Sequence, residues 1–251
     1  MAMDLSSAEA EIVWGREATK RVPLFCTIPD TGLIGFVSSV HIIQESEMDL
    51  LGFVDAPWVP PVVVVQDGLP YPPVRIYGSD RISILLLDVP LESDLWHTFS
   101  DLAVRVYREA GAKAIIGATG LPNPKRQEVK ELRLFTSFTD PSLMERFSFD
   151  AKEFNGVMAG PYASLLQLTL KNNIPSLVYL IDSYPAYPDP EAAALIVDLL
   201  GRMIDVEFDV QKLLDKGAEL RIRARQLALE TQRKQMEAQA MTGRASAGFY
   251  M

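Results

Sequence analysis

Short apolar runs alternate with stretches of helical periodicity along most of the chain. The run VPLFCTI (22–28) predicts a buried strand, ended by the turn residues of PDTGLIG, with a helix following to about Glu45. VVVVQDG (62–68), VRIYGSD (74–80) and RISILLLDV (81–89) are strand-like, the last two joined by a Gly-Ser-Asp turn. A helix is expected over roughly 93–111, then the strand AKAIIGATG (112–120). RLFTSFTD, FNGVMAG and SLVYLID supply further strand material, with the helix PYASLLQLTLKNN before the last of these. Strands separated by helices of this length imply a largely parallel sheet covered on both faces, a three-layer α/β domain.

Two helices close the pattern. PDPEAAALIVDLLGRM has a clear start: Asp189 is placed to cap the free N–H groups, and Pro190 fits the first helical position, where no N–H is needed. Leu195, Ile196, Leu199, Leu200 and Met203 then form one apolar stripe. A second helix is expected from about Val210 to Ala240, roughly 45 Å long at ~1.5 Å per residue. Leu213, Leu220, Ala224 and Leu227 give it an early heptad-like seam that weakens at Thr231 and Lys234. TGRASAG after Met241 reads as a flexible tether. The expected organisation is an α/β core (1–208), a C-terminal helix (209–240) and a tail (241–251).

Composition narrows the function classes. The 251 residues are 48% hydrophobic and 23% charged, as in an ordinary globular protein. The net charge of −9 is uneven: residues 209–251 hold eight Lys or Arg and five Asp or Glu, a local excess of three positive charges. An acidic body argues against nucleic acid as the main partner. The single cysteine, Cys26, excludes a disulfide framework and points to a reducing, cytoplasmic setting. No apolar stretch reaches the length of a membrane span, and MAMDLSS lacks the features of a signal peptide.

Candidate chemistry is sparse. Three glycine-containing turns, PDTGLIG (29–35), GATGLPNPKR (117–126) and NGVMAGP (155–161), follow predicted strands. In a parallel sheet they gather at the carboxyl ends, where α/β enzymes bind ligands, with Lys125 and Arg126 available to a phosphate. None matches a phosphate-loop or dinucleotide fingerprint, so tight strand-to-helix turns are the favoured reading. His41 and Glu45 share a helix face, and His97 has Ser93, Asp94 and Ser100 nearby in sequence. Neither set amounts to a nucleophile, base and orienter, and two separated histidines with one cysteine do not suggest a metal site. The stretch DAPWVPPVVVV…GLPYPPVRIYG leaves two readings open for Trp58 and Tyr71: a subunit interface, or a loop covered within one subunit.

CTIPDTGLIGFVSSVHIIQ, GATGLPNP, NGVMAGPYASLL and above all YPAYPDPEAAALIVDLLGRMIDVEFDVQKLLDKGAEL resemble the archaeal members of the proteasome assembly chaperone family, over about residues 20–225. The resemblance implies a nucleoside-phosphorylase-like α/β/α fold without a catalytic centre, homo-oligomers, and binding to proteasome subunits; no cofactor is expected. The Trp58–Tyr77 stretch and the heptad-like front of the last helix, two surfaces that want cover, predict four or more chains. Phe249, Tyr250 and Met251 are similar to the C-terminal hydrophobic–Tyr–X motif that docks into pockets between α-subunits of the core particle. The chemistry suits such a pocket: a free carboxylate at Met251 can pair with a lysine, Tyr250 supplies ring area and a hydroxyl, and Phe249 buries apolar surface. The expectation is a non-enzymatic assembly chaperone or ATP-independent activator of the 20S core particle. The alternative is an enzyme acting on a nucleoside or phosphate ligand in the glycine-loop crevice.

Overall fold

The computed structural model describes residues 10–215. The chain divides into two compact units, residues 1–210 and 211–251. Of the second unit, residues 211–215 are helical. The rest of the expected C-terminal helix, its seam beyond Leu213 and the tail lie outside the described residues.

In the first unit the chain runs through β1 (Glu11–Trp14), β2 (Leu24–Thr27), α1 (Ile34–Glu45), β3 (Asp49–Asp55), β4 (Val64–Gln66), β5 (Leu69–Tyr71), β6 (Val74–Gly78) and β7 (Ser83–Leu87). It continues as α2 (Trp96–Ala110), β8 (Ile115–Pro122), β9 (Leu134–Phe138), α3 (Pro141–Phe147), β10 (Lys152–Glu153), α4 (Pro161–Lys171), β11 (Ser176–Ser183) and α5 (Pro190–Ile204). Nine strands form one sheet in the order β1-β3-β6-β7-β2-β8-β11-β9-β10, and β4 and β5 form a separate hairpin. The centre is parallel, β7-β2-β8-β11, as expected for βα crossovers. Antiparallel pairs flank it: β1, β3 and β6 on one side and β9 on the other.

Alternation along the central strands divides two hydrophobic layers. Leu24, Cys26, Leu85, Leu87, Ile115 and Val178 join Phe99, Leu102, Ala103 and Val106 of α2 and Tyr162, Leu165 and Leu168 of α4 in one buried cluster. On the opposite face, Phe25, Ile84, Leu86, Ile116, Leu177 and Tyr179 are likewise buried. There α1 packs on α5, and Ser38 Oγ donates to the Ala193 carbonyl at 3.1 Å. The start of α5 is as expected: Pro190 opens the helix and the Asp189 side chain accepts from Ala192 N.

Three parts differ from the sequence reading. FNGVMAG is not strand. Gly160 takes φ +104°, and Val157 is 96% exposed, so an apolar run interrupted by glycines becomes a loop. Only Val64–Gln66 of VVVVQDG is strand, and it lies outside the main sheet. β1, β3, β5, β10 and α3 carry no expectation from the apolar pattern: β1 and β10 are the edges of the sheet, β3 between β1 and β6 is buried at only three of its seven residues, β5 and β10 are three and two residues long, and α3 spans seven.

Candidate functional site

Two of the three glycine turns meet at the carboxyl ends of the parallel strands, and they fill the crevice rather than line it. Gly32 adopts φ +70°, a conformation open to glycine without penalty, and a side chain there would run into Ser183 Oγ at the end of β11. Gly120 lets β8 approach the first loop so closely that a Cβ would stand 2.5 Å from the Thr31 carbonyl oxygen. The Gly32 carbonyl accepts Asp189 N at 2.9 Å, joining the first loop to the start of α5. The third turn leads into α4, whose Tyr162 hydroxyl accepts Ile28 N at 3.1 Å beneath the first loop.

Arg126 is only 3% exposed and is not available to a phosphate. Its guanidinium binds Asp189 at 2.7 and 3.1 Å and Glu191 at 2.9 Å, and lies 5.1 Å from the centre of the Tyr184 ring. Burial acts to lower its pKa, but the two carboxylates outweigh burial and raise it. Lys125 is exposed, with its backbone N–H on Asn123 Oδ1. Asp182, at the end of β11, is held by Arg133 at 2.8 and 2.9 Å. Burial acts to raise this carboxyl, and the bonds and charge of Arg133 bring it below its ordinary range.

Asp30 also lies at this junction, and sequence reasoning did not single it out. Its partner is the Thr119 hydroxyl, and burial lifts its pKa to about 7 against the opposing effect of that bond. The signal was an acid in a turn facing the two hydroxyl- and glycine-bearing ends of apolar strands. Tyr162 and Cys26, beneath it, are also pushed up by burial, the thiol to about 12. These groups therefore stay neutral at ordinary pH. An acid beside a hydroxyl resembles a base and nucleophile, but the first loop and β8 approach so closely here that even a Cβ at Gly32 or Gly120 would collide.

The histidines are separated. His41 is buried on α1 and His97 is exposed at the start of α2. Ser100 Oγ donates to the Trp96 carbonyl at 2.7 Å and lies 3.2 Å from the Ser164 hydroxyl, so it serves the α2–α4 contact. An open depression of about 420 Å³ lies elsewhere, between Trp14–Ala18 and Glu109. Its charged groups are engaged: Trp14 Nε1 donates to Glu109 at 2.8 Å, and Arg16 pairs with Asp49. Among the described residues no cluster of three His, Cys, Asp or Glu side chains is placed to hold a metal ion.

The proline-rich stretch divides between the two readings offered for it. Trp58 is 6% exposed and belongs to the core, whereas the β4–β5 hairpin is bare. Val63 (63% exposed), Val65 (62%) and Pro70 share its outer face. The hairpin is anchored at its root, where Tyr71 stacks 5.6 Å from the fully buried Arg75. Arg75 in turn binds Asp88 at 2.7 Å and the Tyr77 hydroxyl at 3.0 Å. Phe249, Tyr250 and Met251 lie outside the described residues. No helix among the described residues is long and apolar enough to cross a membrane.

Comparison with known proteins gives this architecture a context. An uncharacterised protein of Methanocaldococcus jannaschii is 22% identical over 201 residues, 80% of this chain and 82% of its own length. Pyrococcus furiosus PbaA, an archaeal homologue of proteasome-assembly chaperone, has the same fold, with a TM-score of 0.76 at 22% identity over 97% of this chain and 100% of that one. Pyrococcus furiosus PbaB, an archaeal proteasome activator, gives 0.72 at 18% identity over 88% and 99%. The PAC2 family pattern matches residues 24–228, from β2 through every parallel strand, both meeting glycine turns and the capped start of α5, and the chain therefore belongs to the PAC2 family.

Proposed function

We propose that this chain is a non-enzymatic proteasome-binding protein, an assembly chaperone or ATP-independent activator of the 20S core particle. In this reading it docks Phe249, Tyr250 and Met251 into pockets of the α-ring, acts in the cytoplasm, and works as a homo-oligomer of four or more chains. The observation that carries the reading is the hydrophobic–Tyr–X sequence on a chain of this family. PbaA and PbaB, whose fold it shares, are a proteasome-assembly chaperone homologue and a proteasome activator. The engagement of Arg126 by Asp189 and Glu191 also supports a binding role over the nucleoside- or phosphate-ligand alternative, since it takes up the guanidinium a phosphate would need.

A single tail in a shallow pocket binds weakly, because little area is buried and the tether must be ordered. Several tails on one oligomer turn the later contacts into intramolecular ones, so avidity exceeds single-site affinity ~100-fold or more. Surface-plasmon binding of core particles to the wild type, to Tyr250→Ala and to a form extended beyond Met251 tests this. Both altered forms are expected to lose binding at least ~100-fold while keeping fold and oligomer. Equal binding by all three would remove the tail as the docking element.

A further inference from the structure

Asp30 is the least satisfied polar group of the closed junction. It precedes the 3₁₀ turn Thr31–Leu33, where a short polar side chain usually accepts the N–H groups of the turn, yet its carboxyl makes no such bond. The carboxyl is turned instead onto β8, where the Thr119 hydroxyl is its hydrogen-bond partner. Oδ1 is shut off from solvent with no partner among the described residues. A carboxylate has about four lone-pair sites to satisfy, and one hydroxyl serves a single site. The neutral acid demands less: its O–H donates to Thr119 Oγ1, and only a carbonyl oxygen is left dry.

The surroundings do not repair the deficit. On the loop after β8, Arg126 is bound by Asp189 and Glu191 at the start of α5. Arg133, ahead of β9, is bound by Asp182 of β11. Tyr162 of α4 and Cys26 of β2 are held neutral by burial. Backbone tension in the loop rests on Leu33, whose left-handed conformation (φ +50°) its side chain disfavours.

We propose that the 29–33 loop is a proton-governed latch: neutral Asp30 seals it onto β8, and loss of the proton draws the carboxylate off Thr119 toward solvent and the uncapped first turn of α1. Release disturbs the Gly32–Asp189 hydrogen bond and hence the junction of the first loop with α5. The latch thus tunes how tightly the carboxyl-end face is closed. The folded-state pKa of about 7 lies above the unfolded value of 3.8. The latch therefore contributes fully below about pH 4, weakens as pH rises, and is spent above about pH 7.

Urea unfolding of the full chain at pH 5 to 8.5 tests the latch in the wild type and in Asp30→Asn, which keeps a neutral, hydrogen-bonding side chain. The ratio of the wild-type unfolding constant to that of the variant is expected to grow by up to ~10-fold per pH unit from 5 to 7 and to level off above. Amide exchange at Gly32 and Leu33, corrected for its intrinsic pH dependence, is expected to accelerate above pH 7 in the wild type only. Parallel pH curves for the two proteins would overturn the latch. Should Asp30→Asn not fold, carboxyl-carbon NMR of the wild type decides: a midpoint near 7 supports the latch, and one near 4 overturns it.

Discussion

The glycine-loop junction and the β4–β5 hairpin sit on the same α/β body and solve opposite problems. At the junction, polar and charged side chains are driven inward and must satisfy one another: Arg126 with Asp189 and Glu191, Asp30 with Thr119, Tyr162 with Ile28 N. At the hairpin, valines and a proline are turned outward, with no described residue covering Val63 or Val65. Buried charge is tolerated only with fixed partners, so the junction is specified by its own chain. The apolar face is without cover among the described residues, and an oligomer interface is the use we propose for it.

The sharpest way to break this contrast is Arg126→Ala. It leaves the fully buried Asp189 without its counter-charge, and a loss of about 3–5 kcal/mol in urea unfolding is expected. A loss below about 1 kcal/mol would show that the junction is not held by this pair. Gly32→Ala comes next, at about 1–3 kcal/mol, since it combines a positive φ with a collision against Ser183 Oγ. Calorimetry would register it as a lowered Tm.

Asp182 gives a smaller effect of opposite sign to Asp30. Its folded pKa is depressed, so its stabilisation is present above the unfolded value of 3.8 and is lost as pH falls. Asp182→Asn is accordingly expected to flatten the acid limb of the stability curve and leave the limb near pH 7 unchanged. The least effect on folding is expected at the hairpin: Val63→Ser with Val65→Ser changes unfolding by no more than about 0.5 kcal/mol. The same double variant should lower the mass measured by light scattering. If mass is unchanged, the hairpin serves a partner other than a second copy.

Much of the fold was legible as periodicity. The strands containing Cys26, Ile84 and Ile116 are continuous apolar runs because both of their faces are buried, and the α5 start was readable because Asp189 and Pro190 act locally. The strand mistakenly expected at FNGVMAG shows the limit of the same signal: Val157 there is turned to solvent, and Gly160 takes a positive φ. α3 went unread: Asp140 accepts Ser142 N ahead of Pro141, a local start signal, but seven residues carry too short a period to register.

The chain order thus determined by itself what depends on neighbours in sequence: the central strands, the helices α1, α2, α4 and α5, the capped start of α5, and the membership implied by its motifs. Only the tertiary structure decided which distant residues meet. Arg126 and Asp189 are 63 positions apart, and Thr119 and Asp30 are 89 apart. No local rule reveals that the first pair consumes an apparent phosphate ligand, or that the second places an acid where water cannot reach one of its oxygens. The reason is that pairing and desolvation belong to the space between elements. The sheet order, which lays β2 beside β8 and β8 beside β11, creates that space.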